Sequence, residues 1–176
     1  MNKIPIKKKK VFNLLKKIKK INLGKEKKLL EDSIGRYLDE DLFSKINLPP
    51  FNNSAVDGYA LHKDDIILRN HKLICNQRIA AGDHKSITLN KGEAIKIFTG
   101  AKMPLCSKTV VMQENVKVQD REIKILKMPL FGENYRILGE DVARGRKIFS
   151  DGDKITSSNI NLIAAIGKKN VFVKKK

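Results

Sequence analysis

The chain has 176 residues, 41% of them hydrophobic, which is enough to bury a real core in one or two compact units. Its 37 Lys and Arg against 19 Asp and Glu leave a formal charge of +18, a balance that usually points to a polyanionic partner. Only seven of the basic residues are Arg, Trp is absent and aromatics are 6%, so the Arg forks and stacking platforms of nucleic-acid readers are scarce and a nucleic-acid partner is not expected.

Lys7 to Leu23 opens the pattern, with Val11, Phe12, Leu14, Leu15, Ile18 and Ile21 at roughly helical spacing between lysines. This predicts an amphipathic basic helix that docks its apolar stripe on the rest of the domain, in preference to one that adsorbs to anionic lipid or nucleic acid. A second helix is predicted from about Lys25 to Leu38, with Leu29, Leu30, Ile34 and Leu38 on one side and Gly35 inside it at some cost. Leu48 to Ala60, LPPFNNSAVDGYA, is rich in turn formers. Pro49 and Pro50 fix φ, and Asn52, Asn53 and Ser54 turn the backbone on their own side chains, building a rigid platform for Asp57.

Short β-branched runs follow at Leu73 to Ile79, Ser86 to Leu89, Ala94 to Thr99, Thr109 to Gln113 and Glu122 to Leu126, most of them separated by Gly, Asp, Asn or Pro. That spacing predicts a compact β-domain, barrel-like or sandwich-like. Helix returns at Ser157 to Ile166, capped by Ser157 or Ser158 and closed by Gly167, and Val171 to Val173 reads as a strand cut off before its continuation. Cys75 and Cys106 lack the number and spacing of a disulfide framework or zinc site and read as reduced thiols. His62, His71 and His84 have no metal-ligand spacing and read as surface residues. No apolar core of signal-peptide length and no run of about eighteen apolar residues occurs, so the expectation is a cytoplasmic chain without a membrane partner.

Three blocks carry a resemblance. LPPFNNSAVDGYA is similar to an LPPFDNSAMDGYA-type signature. Gly92 to Glu114, GEAIKIFTGAKMPLCSKTVVMQE, is similar to a GEAIRIFTGAPMPxGADAVVMQE block, and Asn134 to Ile155, NYRILGEDVARGRKIFSDGDKI, to an NxRxxGEDxxxGxxxxxxGxxL block. In this order they resemble the N-terminal portion of the MoeA/gephyrin family, the molybdopterin molybdenumtransferases. The STGDEL-type motif of the family's pterin-binding domain is not found here. Asn52 stands where the family usually has Asp, Val56 where it has Met, Lys102 where it has Pro, and Cys106-Ser107-Lys108 replaces a GAD-like turn. A position of positive φ at Cys106 would be strained.

The resemblance implies an α+β fold in which an elongated helical subdomain, 1–47 plus 142–176, flanks an inserted β-rich, barrel-like subdomain at 48–141. It implies insertion of molybdate into adenylated molybdopterin, with magnesium and molybdate as the expected ions. It also implies a homodimer whose mate supplies the pterin-binding side of the cleft, or a separate pterin-binding chain. The family's functional positions fall on Asp57, Thr99 and Asp141. Asp57 would handle protons or help place a divalent metal, Thr99 and nearby N–H groups would bind an oxyanion, and Asp141 would orient or transfer a proton. Taken without the motifs, Asp57-Gly58 is an ordinary turn pair, Thr99-Gly100 an ordinary strand exit, and Asp141 a local cap or ion-pair partner. Arg136 and Arg144 are candidates to attract an anionic substrate, while Glu114 and Glu140 receive no chemistry. The alternative function is a non-catalytic basic interaction module left from a truncated enzyme.

Overall fold

The computed structural model describes residues 8–17, 23–83 and 85–176. Along the chain run α1 (Lys8–Lys16), β1 (Lys25–Leu29), a 3-10 turn (Glu31–Ser33), β2 (Leu42–Phe43), β3 (Asn53–Ser54), β4 (Gly58–His62) and α2 (Lys63–Ile67). Then come β5 (Lys72–Ile79), β6 (Glu93–Ile97), β7 (Ser107–Met112), a second 3-10 turn (Gln113–Asn115), β8 (Val116–Gln119) and β9 (Glu122–Ile125). The chain closes with β10 (Tyr135–Arg136), β11 (Lys147–Phe149), α3 (Ile160–Ala165) and β12 (Asn170–Lys174). The α+β class expected from the sequence holds, with strand well in excess of helix. The described residues divide into two compact units, one drawn from Met1–Asp41, Ser150–Ala164 and Lys168–Lys176, the other from Leu42–Phe149 and Ala165–Gly167.

The larger unit is built on a six-stranded sheet in the order β7-β4-β6-β5-β9-β8. β4 lies antiparallel to both β6 and β7, and β5 runs parallel to β6. Both faces of the sheet are packed. Tyr59, Leu61, Leu73, Ala94, Val111 and Ile123 fill one side, and Ala60, Ile79, Ile95, Ile97, Val110 and Met103 fill the other. Alternating side chains of β4 thus enter different cores, and all five of its residues are buried. Each fully buried Leu or Ile here contributes about 2 kcal/mol of apolar burial.

α2 follows β4 directly and was not foreseen. His62 caps it, its Nδ1 accepting the Asp64 N–H at 3.3 Å. His62 is therefore buried rather than on the surface as the sequence suggested, because the cap ties its ring to the helix end. His84 lies outside the described residues. Asp65 on the same helix is buried. Its Oδ2 accepts the Gly92 N–H at 2.8 Å and its Oδ1 the Asn70 amide at 3.3 Å. Removing that carboxylate leaves a backbone donor without its partner. Asp65→Ala should lower stability by about 2 kcal/mol, read as a shift of the urea midpoint at unchanged slope.

In the smaller unit the predicted helix from Lys25 to Leu38 is absent. Lys25–Leu29 is a strand paired antiparallel with β12, Lys25 opposite Lys174 and Leu29 opposite Asn170. Val171 and Val173 of β12 are buried, and their pairing overrides the weak helical preference of the KEKKL segment. Gly35, at φ +82°, is a turn residue rather than a helix interior. Arg36 ties the pair together, donating to Glu26 and, at 2.6 Å, to the Lys174 carbonyl. The Val171 to Val173 strand therefore has its partner within the chain. α3 starts later than predicted, after Asn159 Oδ1 accepts the Thr156 N–H at 2.8 Å, and Gly167 at φ +83° follows its end as expected.

The first helix is present as α1 over Lys8–Lys16, while Lys7 and residues 18–22 of the predicted span lie outside the described residues. Among the described residues its apolar stripe is not docked. Val11, Phe12, Leu14 and Leu15 are all exposed. Ser86 to Leu89 also departs from expectation. It forms no strand, only a bridge from Thr88 to Leu105, because the Leu105 main chain closes on Ile87 and Leu89 and then turns away.

Candidate functional site

The proline loop owes its shape to three segments that it binds through its main chain. Leu48 exchanges backbone hydrogen bonds with Val142 and accepts the Asp141 N–H at 3.0 Å, and the Pro49 carbonyl takes the Gly139 N–H at 3.0 Å. Asn52 Oδ1 accepts the Leu138 N–H at 2.7 Å. An Asp at this position would make the same bond, so this departure from the family pattern leaves the loop intact. β3 then pairs with β10, and the Ser54 carbonyl accepts the Gly100 N–H at 2.8 Å. Asn53 is buried, and its Oδ1 has no hydrogen-bond partner among the described residues.

Asp57 sits at the mouth of β4. The β4–β6 register sets Gly58 against Ile97, which carries Asp57 alongside the exit of β6 where Thr99 lies. Thr99 donates twice to Asp57 Oδ1, from its backbone N–H and from its hydroxyl, each at 2.7 Å. These two bonds hold the Asp57 carboxyl below the usual carboxylate range, the backbone N–H contributing most, then the hydroxyl, with the Lys96 charge adding to the effect. Asp57 is thus ionised at neutral pH, with Oδ2 left without a hydrogen bond among the described residues. The Thr99 donors, which the sequence assigned to an oxyanion, are engaged by Asp57 in this structure.

Asp141 is held by a different set of bonds. Its carboxylate accepts Arg136 Nη2 at 2.7 Å, while Arg136 Nε donates to Glu140. Glu140 also accepts the Ile137 N–H at 2.9 Å, and this bond, followed by Arg136, pulls its carboxyl below the usual range. Glu140 and Asp141 in turn hold the Arg136 guanidinium protonated more firmly than usual. The hydrogen bonds therefore join Asp57 to Thr99 directly, and bring Asp141 to the same proline loop through Leu48. Arg136 serves as a clamp on two carboxylates rather than a free attractor of anions, and Arg144 is exposed. Sequence reasoning left Glu140 without a role and passed over Lys96. Arg136 closes β10 and reaches Glu140 and Asp141 across a turn in which the Ile137 carbonyl accepts the Glu140 N–H at 3.1 Å, so the R-x-x-x-E-D run was the readable signal for the clamp.

Among the described residues no group of three or more His, Cys, Asp and Glu is arranged to hold a metal ion. The magnesium implied by the resemblance would find one ionised carboxylate at Asp57 and no cage around it among the described residues. Cys106, replacing the family's turn residue, adopts φ +67° and is exposed, which is the left-handed geometry that disfavours a side chain. Cys106→Gly should raise Tm by about 1–3 °C in a thermal scan, because relief of that strain outweighs the extra freedom Gly gives the unfolded chain.

Comparison with known proteins bears on the family. Residues 7–167 match the family model described as the MoeA N-terminal region, domains I and II. The molybdopterin molybdenumtransferase of Haemophilus influenzae is 32% identical over 139 residues, covering 78% of this chain and 34% of that protein. The enzyme of the same name from Staphylococcus epidermidis is 30% identical over 163 residues, covering 90% of this chain and 38% of that protein. A crystal structure of the molybdopterin biosynthesis MoeA protein of Pyrococcus horikoshii superposes with a TM-score of 0.81 at 33% identity, covering 88% of this chain and 42% of that one. The chain thus spans less than half the length of these relatives. Its residues 7–167 place it in the MoeA family, as a member corresponding to the family's N-terminal domains I and II.

Proposed function

We propose that this chain supplies one wall of the cleft in which molybdate is inserted into adenylated molybdopterin, in molybdenum cofactor biosynthesis. The observation that carries this reading is the Asp57–Thr99 pair, a carboxylate fixed at one oxygen by two donors at 2.7 Å, within blocks that resemble the signatures of the molybdenumtransferase family. A carboxylate held charged in this way is a poor general base near neutral pH, since proton transfer is most efficient from groups that titrate close to the working pH. Its suited task is to place positive charge: a substrate-bound cation, or the protonated species that leave as oxo groups depart as water. Lys96 beside it offers the complementary charge for an anionic substrate.

Asp141, fixed by Arg136, is the second carboxylate of the wall. The pterin-binding side of the cleft belongs to residues that the longer relatives have in addition, contributed by a dimer mate or a separate chain in the cytoplasm. The test is a metal-insertion assay with adenylated molybdopterin and molybdate. The isolated 176-residue chain is expected to give no turnover, and an assembly that also contains the remaining regions of a relative is expected to give it. Turnover at family-like rates by the isolated chain would refute the division of labour.

A further inference from the structure

One face of the six-stranded sheet carries a cavity near the end where β4 begins and β5 and β6 finish. Strand register lines up its polar groups. Tyr59 of β4 stands opposite Lys96 of β6, and Lys96 opposite Arg78 of β5, so three adjacent strands set a phenol and two cations side by side on one face. With Cys75, Val118 and Ile123 they line a cavity of about 370 Å³. Tyr59 is only 5% exposed, yet its hydroxyl has no hydrogen-bond partner among the described residues and is not sealed from solvent. A buried O–H in this state is a donor awaiting an acceptor. Burial holds the Tyr59 phenol and the Cys75 thiol above their usual ranges, so both stay protonated at neutral pH. No carboxylate lines the cavity, and neither Arg78 nor Lys96 is in an ion pair among the described residues. Lys96 Nζ stands 5.7 Å from the centre of the Phe98 ring and reaches Asp57 only as a through-space charge.

The charge in this cavity is thus entirely positive. A metal cation is repelled, and a neutral molecule leaves both charges and the hydroxyl unused, whereas an oxyanion accepts from all three groups. Val118 and Ile123 add an apolar wall, and the volume lies in the range of pockets that take organic molecules. We propose that the cavity binds a small organic phosphate, its phosphate on Arg78, Lys96 and the Tyr59 hydroxyl and its organic part against Val118 and Ile123. The site has its own walls, apart from Asp57, Thr99 and Asp141, and does not depend on the function proposed above. The regions that the longer relatives have in addition, or a dimer mate, can reach only its mouth, since every lining residue belongs to the larger unit of this chain. An apolar element laid over that mouth would leave two cations buried without counter-charge, at a larger cost in free energy than the covered apolar area supplies.

The experiment titrates phenyl phosphate into the full chain, followed through the backbone amide resonances, at about 0.1 M sodium chloride to screen the general attraction of a +18 protein. Saturable binding is expected, with a dissociation constant of about 1 mM or tighter and shifts centred on Tyr59, Arg78 and Lys96. Inorganic phosphate should compete more weakly and phenol should not bind. Lys96→Gln and Arg78→Gln should each weaken binding about tenfold. Tyr59→Phe should weaken it about fivefold at an unchanged Tm, because its hydroxyl has no protein partner to lose. Lys27→Gln, at an exposed lysine of the smaller unit, should bind as wild type does. The proposal is overturned if no saturable binding occurs, if the shifts centre elsewhere, or if phenol or inorganic phosphate binds as well as phenyl phosphate. Wild-type binding by Lys96→Gln and Arg78→Gln overturns it too. So does loss of the probe from an assembly that contains the remaining regions of a relative, because those regions then fill the cavity themselves.

Discussion

Gly58→Ala should leave almost no folded protein. A Cβ at this position would lie 2.0 Å from the Val111 carbonyl oxygen, 2.9 Å from its carbon and 3.1 Å from Val110 Cγ1. The obstacle is the backbone of β7, which cannot yield without opening the β4–β7 ladder. β4 is also buried on both faces, so displacing it disturbs both cores. The expected cost exceeds about 4 kcal/mol, at the extreme of single substitutions and a large share of a domain's net stability. Gly82→Ala is the informative comparison. Gly82 has φ +92° but open space around it, so that substitution should cost only about 1 kcal/mol of backbone strain. Urea unfolding of the two variants separates a steric clash from a conformational preference, and equal midpoints would contradict the packing described for β4.

The second large effect falls on turnover. In an assembly that inserts molybdenum, Asp57→Ala should lower kcat by about 100-fold or more while the isolated chain loses at most a small part of its stability, because Thr99 is exposed and water can replace the lost acceptor. Asp57→Asn keeps the acceptor for Thr99 but loses the charge, so it should fall nearly as far if charge placement is the task. Thr99→Val removes one of the two donors and leaves the backbone N–H, the larger influence on Asp57. Its loss should therefore be smaller, about tenfold, and Thr99→Ser should restore most of it. Wild-type kcat in Asp57→Asn would remove the carboxylate from the chemistry.

The pairing of Asp57 with Thr99 could be read from the sequence only through the motif blocks. Their spacing of 42 residues says nothing by itself, and the β4–β6 register that joins them depends on a strand hidden in turn-like residues. Asn52, Asn53, Ser54 and Gly58 signal a loop, and apart from the two-residue strand β3 the chain is loop as far as Asp57, but Gly58 is also the glycine that lets the next strand pass the β7 backbone. The strands β5, β6, β7 and β9 were legible because Ile, Val and Leu alternate or cluster in them. β1 was not, since Lys25 to Lys28 carry no strand signal and the apolar side of that pair is supplied by Val171 and Val173, far along the chain. Local propensity cannot report a partner it does not contain. The undocked stripe of α1 was missed for the opposite reason. Its periodicity reveals an apolar face, but not what that face meets.

The bonds that shape the site have a further consequence for how the protein comes into being. Asp57 meets Thr99 across 42 residues, Asn52 meets Leu138 across 86, and Asn47 meets Arg144 across 97. A topology so dominated by distant contacts folds slowly, since long loops must close before any contact rewards them. During synthesis the proline loop emerges early, meets its first distant partners at Thr99 and Gly100, and lacks the rest until residues 138–144 have left the ribosome. The candidate site is therefore completed late, and a nascent chain arrested before residue 138 carries the proline-loop motif without its full set of bonds.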